Sequence, residues 1–186
     1  MNTTEYAAKI VEELKHTLGL TQPESGEQLA DAIMAANKIL VAGAGRSGFA
    51  AKAFAMRLMH MGFDAYVTGE TVTPNLEADD LFLVASGSGE TGSLVVMSQK
   101  AKKIGAKIAT VTIRPEGSVG QMADITVKIP APTPKAKVSE EFCSIQPMGS
   151  LFEQSLFLFL DAVILRLMEK QGNDSDTMFT RHANLE

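Results

Sequence analysis

A chain of 186 residues is long enough to bury one hydrophobic core and short enough to form a single domain, read here as spanning residues 1–186. With 45% hydrophobic and 21% charged residues and a formal net charge of -5, it is neither a disordered chain nor the bearer of the basic stripe that nucleic-acid binding needs. Its one cysteine, Cys143, can close no internal disulfide and, with no His/Cys cluster, can anchor no zinc, which suits a reducing cytoplasmic compartment.

The first twenty residues interleave Glu5, Lys9, Glu12, Glu13 and Lys15 with apolar positions, so they lack the continuous apolar run of a signal peptide. Ala7, Ile10, Val11, Leu14 and Leu18 recur at three and four residues, which predicts a helix. A break from Gly19 to Ser25 leads to a second helical pattern, Leu29, Ile33 and Met34, ending near Asn37. Together these form a helical arm over residues 1–37.

From Lys38 the pattern changes to short continuous apolar runs separated by helix-length stretches. Ile39–Ala42, Ala65–Val67, Leu81–Ala85, Ile108–Val111 and Ile125–Ile129 are the predicted strands. Unbroken hydrophobicity marks strands covered on both faces, as in a parallel sheet with crossover helices, here expected at Ser47–Met61, Gly92–Ile104 and around Glu116–Met122. The fold class is therefore α/β, a wound core over 38–130 in three α/β/α layers. Pro130, Pro132 and Pro134, with Lys135 and Lys137, predict a surface segment running to about residue 147. A long helix over about 148–171 follows, apolar on nearly every side, which makes it a core element or a subunit interface; Glu153, Gln154, Asp161 and Arg166 exclude it as a membrane span. A polar tail, 172–186, ends the chain.

Two loops carry the chemistry. Gly43-Ala44-Gly45-Arg46-Ser47-Gly48 follows the first strand and opens a helix, matching the dinucleotide fingerprint, and Glu70 follows at a suitable distance. The same physics serves any anion at a strand-to-helix turn, since glycines let backbone N–H groups approach closely. Ser86-Gly87-Ser88-Gly89-Glu90-Thr91 follows the third strand with three hydroxyls and two glycines. A dinucleotide fold has no use for this second cradle, whereas a phosphomonoester, with three oxygens to satisfy, does. Taken singly, Ser86 and Thr91 also fit ordinary turn and N-cap roles.

The two loops resemble the sugar isomerase (SIS) domain. With Gln146–Gln154, Asp161-Ala162-Val163 and the ending Met178–Glu186, the chain is similar over nearly its whole length to the 6-phospho-3-hexuloisomerase family. The resemblance implies a five-stranded parallel sheet, a homotetramer, and isomerisation of D-arabino-hex-3-ulose 6-phosphate to D-fructose 6-phosphate through a 2,3-enediol. The setting it implies is formaldehyde assimilation by the ribulose monophosphate pathway, with 3-hexulose-6-phosphate synthase as functional partner. That chemistry requires no cofactor and no metal.

The resemblance makes Glu153 the proton acceptor, although Ser150-x-x-Glu153 before an apolar run also reads as a capping box. It makes His182, from a neighbouring subunit's tail, a second candidate. The phosphosugar would be held by Gly45, Arg46, Ser47, Ser86, Gly87, Ser88, Gly89, Glu90 and Thr91. Arg46 either counters phosphate charge or pairs with a carboxylate. Glu70, Thr71 and Thr73 are further pocket candidates; His60 reads as a structural residue meeting the helix dipole, His16 as exposed, Cys143 as buried or incidental, and Met56 and Met59 as core or interface filler. Rival readings are another SIS isomerase, such as one for arabinose 5-phosphate, a non-catalytic phosphosugar sensor, and a nicotinamide oxidoreductase.

Overall fold

The structure, a computed structural model, describes residues 1–133 and 143–185. Helix α1 (Thr3–Gly19) opens on a capping box in which Asn2 Oδ1 accepts from Glu5 N and Glu5 reaches back to the Asn2 amide. Helix α2 (Pro23–Ala35) begins at the expected break: Pro23 starts this helix because its missing N–H would have no partner in the first turn anyway. There follow β1 (Ile39–Gly43), α3 (Gly45–His60), β2 (Ala65–Val67), β3 (Leu81–Ala85), α4 (Gly92–Ile104), β4 (Lys107–Thr112), α5 (Ser118–Met122) and β5 (Ile125–Lys128). The chain ends in the long α6 (Ser150–Gln171) and a short α7 (Ser175–Phe179).

All strand pairs are parallel, and the sheet order is β2-β1-β3-β4-β5. Side chains alternate across each strand, so the sheet feeds two cores. Ile39, Val41, Leu81, Leu83 and Ala109 face α2, α3 and α6, where Leu29, Ile33, Phe54, Leu58, Phe152, Leu156 and Leu160 cover them. Leu40, Ala42, Phe82, Val84 and Ile108 face α4 and α5 through Leu94, Ala101 and Val119. The unbroken apolar runs thus have the physical cause expected of them.

One expectation needs correction and three readings are narrowed. Pro130, Ala131 and Pro132 are buried, with Ala131 N donating to Ile129 O, so the segment after β5 first runs inward; Pro134, Lys135 and Lys137 lie outside the described residues, as does Glu186. Cys143 is exposed. Met56 and Met59 are also exposed, on the outer side of α3, and fill no core of the single chain. The polar tail contains α7, whose cue is Asp174 as N-cap, accepting from Thr177 N. Of the two roles open to α6, the single chain shows the core one. Leu151, Leu156, Leu160, Val163, Ile164 and Leu167 are buried, while Phe157, Leu158 and Leu165 on the opposite side are not.

Candidate active site

Neighbouring strands β1 and β3 send the chain to opposite faces of the sheet, to α3 and α4. The loops after them therefore separate, leaving a crevice at the carboxyl ends of the strands, where open α/β sheets receive ligands. Entry into α3 depends on contact between two glycines: a Cβ on Gly48 would lie 2.8 Å from Gly43 O, and one on Gly43 would lie 2.9 Å from Gly48 Cα. Only glycine at both sites lets the helix start this close to β1, and no side chain caps that start. Gly45 and Arg46 form its exposed first turn, and Ser47 turns inward.

A cleft of about 370 Å³ fills the crevice, lined by Ser47, Gly87, Ser88, Ile113, Arg114, Thr133, Met148, Gly149, Phe152 and Glu153. Two hydroxyls, Ser47 and Ser88, thus face one space from two separate loops. Gly87 lines it as well, while Ser86, Glu90 and Thr91 shape the cradle without lining it. Ser86 is 3% exposed, and its Oγ accepts from Gly89 N at 3.1 Å, which is the turn role open to it. Ser88 Oγ accepts from Glu90 N at 3.2 Å. Glu90 is turned away: its carboxylate accepts from Ser118 N at 2.8 Å and Ser118 Oγ at 2.7 Å, tying the loop to the start of α5. These bonds hold the Glu90 carboxyl below the usual carboxylate range. Thr91 occupies the N-cap position of α4 but makes no side-chain cap bond.

Glu153 enters from the other side of the cleft. The capping-box reading does not hold: the N-cap of α6 is Gly149, no side chain caps the helix, and Glu153 is its fourth residue. Its carboxylate, 21% exposed, instead accepts a short hydrogen bond from Arg46 Nε, the carboxylate pairing that was one of two options for Arg46. The catalytic candidate and the first glycine loop are thereby joined directly. Just before α6, Met148 takes φ +56°, a conformation uncommon outside glycine, and stands at the rim.

His182 lies elsewhere in this chain. With Arg57, His60 and Asp161 it lines a second cleft, and its ring stacks on His60 (centroids 5.4 Å apart) and Phe179 (5.7 Å). Glu70 and Thr73 also lie off the cleft, in a groove along α3 and β2: Glu70 pairs with Lys52 at 3.6 Å, and Thr73 Oγ1 donates to Val67 O at 2.6 Å. Thr71, exposed, lines none of these clefts. Sequence reasoning missed Arg114, Thr133, Met148 and Phe152. Arg114 carried a usable signal, since every loop after a parallel strand opens at the same end of the sheet.

Wound sheet, twin strand-to-helix cradles and a carboxylate between them define a class. The chain belongs to the SIS domain family, whose model matches residues 32–158. It is 54% identical over 186 residues to the 3-hexulose-6-phosphate isomerase of Bacillus subtilis, covering all of both chains. It is 43% identical over 175 residues to that of Mycobacterium gastri, covering 94% of this chain and 87% of the other. Within the SIS fold these identities place it in the 3-hexulose-6-phosphate isomerase family. A crystal structure from Methanococcus jannaschii, from which the function of a 3-hexulose-6-phosphate isomerase was inferred, superimposes with a TM-score of 0.84 at 36% identity, covering 98% of this chain and 99% of that one.

Proposed function

We propose that this protein converts D-arabino-hex-3-ulose 6-phosphate into D-fructose 6-phosphate, with Glu153 moving the proton. The observation that carries this reading is a partly buried carboxylate facing one cleft with Ser47 and Ser88. A phosphate held at the helix starts and hydroxyls would leave the carbon chain extending toward α6. A 3-ketose whose O6 is esterified cannot close a five-membered ring through that oxygen, so the substrate reaches the cleft open.

Glu153 takes the proton from C2, and the C2–H electron pair becomes the C2=C3 bond of the enediol as O3 gains charge. The carboxylic acid so formed returns the proton to C3, while the hydroxyl proton on O2 passes to O3 and the carbonyl reforms at C2. Atoms and electrons balance with no redox partner. One base suffices because C2 and C3 are adjacent. Arg46 Nε donates to the Glu153 carboxylate and so orients it toward the cleft, and donors near the enediolate oxygens stabilise the charge that develops there.

His182 of a neighbouring copy is the second catalytic candidate. Exposed Phe49, Met56, Phe157 and Leu165 supply an apolar surface for such assembly, here a tetramer. Consistent roles are a cytoplasmic location and a place after 3-hexulose-6-phosphate synthase in the ribulose monophosphate pathway. The test is a coupled assay: purified protein receives D-arabino-hex-3-ulose 6-phosphate, and fructose 6-phosphate is read through downstream enzymes. Rapid turnover is expected, with arabinose 5-phosphate isomerised poorly; the reverse preference would overturn the assignment.

A further inference from the structure

The segment leading into α6 forms one wall of the cleft, and its anchor lies far away in sequence. Glu13 of α1 collects three hydrogen bonds from this segment: Ser144 Oγ donates to Oε2 at 2.7 Å, Gln146 Nε2 to Oε2 at 3.0 Å and Ile145 N to Oε1 at 2.8 Å. Ser144 Oγ in turn accepts from Gln146 N at 3.0 Å, so the turn is closed on itself as well as on Glu13. Two residues further on, Met148 holds φ +56°, and Met148 and Gly149 line the cleft. Ser150 N then donates to Pro147 O and Glu153 N to Gly149 O, handing the geometry on to the base.

We infer that Glu13 is a positioning residue for the isomerase site, fixing the Ser144–Gly149 wall and, through it, Glu153. The inference rests on the isomerase reading above. A surface carboxylate with no such task would hold one lysine or water; this one satisfies a backbone amide, a hydroxyl and a carboxamide on a segment more than a hundred residues away in sequence. Burial works to raise the Glu13 carboxyl, and the bonds from Gln146, Ile145 and Ser144 outweigh it, so the group stays ionised below the ordinary carboxylate range. The phosphate-side residues Ser47 and Ser88 sit on other elements, so loosening this wall should disturb the chemical step more than substrate affinity.

The test is Glu13→Gln, whose amide can no longer accept from all three donors, beside Gln146→Met, which releases the clamp from its other end. A Glu12→Gln control alters a neighbour on α1 that pairs with Lys9. For both clamp variants kcat is expected to fall about 10- to 100-fold, with KM changed less than about 3-fold. The double variant should be little worse than either single one, because both remove the same clamp. Amide exchange at Ile145, Ser150 and Glu153 should accelerate while the sheet keeps its protection. Kinetics within about twofold of the parent would overturn the inference, as would additive losses that track a lowered Tm. If the parent protein fails to turn over the 3-ketose, the isomerase reading fails. Faster exchange at Ser150 and Glu153 in Glu13→Gln would still establish the clamp, and unchanged exchange would reject it.

Discussion

His60 ends α3, 4% exposed as a residue, with Nδ1 3.3 Å from Arg57 Nη1. A guanidinium can only donate, so a hydrogen bond here needs Nδ1 as the acceptor, the role a neutral ring offers. Burial first, then the charges of Arg57 and His182, push the His60 pKa below its ordinary value of 6.5. Charging the unfolded ring is easier, so the unfolded state binds more protons as pH falls. The stability His60 contributes is complete above about pH 6.5 and is lost as pH drops through its lower folded value. Melting curves from about pH 8 to about pH 5.5 should show Tm falling toward acid, with His60→Asn flattening that slope. Sequence reasoning placed His60 at the helix end, as found, but gave it the dipole rather than neutrality, because its burial depends on the tail packing back over α3. Glu153 shows the opposite limit: its spacing fits both a cap and a base, and Gly149 at the N-cap removes the cap.

At the level of elements, the approach of α3 to β1 is the tightest requirement in the cradle. Gly48→Ala puts a methyl 2.8 Å from a backbone oxygen, which cannot swing aside as a side chain would. The helix start must retreat, at a cost of about 1–3 kcal/mol measurable by urea unfolding, and Ser47 moves with it, so phosphosugar affinity should weaken as well. The strands were legible because both faces of the sheet are covered, and Leu81–Ala85 matches the expected run residue for residue. The two loops were legible as walls of the cleft because both follow parallel strands, whose carboxyl ends open at one edge of the sheet. Helix α7 was not, since five residues hold too little of a period. The wall from Ser144 to Gly149 stayed obscure for a different reason: its anchor is on α1, and nothing local to Glu13 marks it as a partner of Gln146.

For the molecule as a whole, apolar surface is left over. Phe49 is 71% exposed and Leu165 65%, and they stand on α3 and α6, which pack side by side; α1 buries little beyond Thr17. Composition could not divide these residues between core and surface, because the same residue types occur in both. Phe157→Glu, placing a charge on the outer face of α6, is expected to lower the oligomeric mass in light scattering while leaving far-ultraviolet circular dichroism unchanged; an unaltered mass would remove α6 from the interface. The central claim, a single carboxylate shuttling a proton beside a phosphate cradle, is tested most directly by Glu153→Gln, measured for turnover and for fructose 6-phosphate binding by calorimetry. The account predicts kcat reduced by about 10²- to 10⁴-fold with affinity within a few-fold of the parent. Turnover within tenfold of the parent would contradict it.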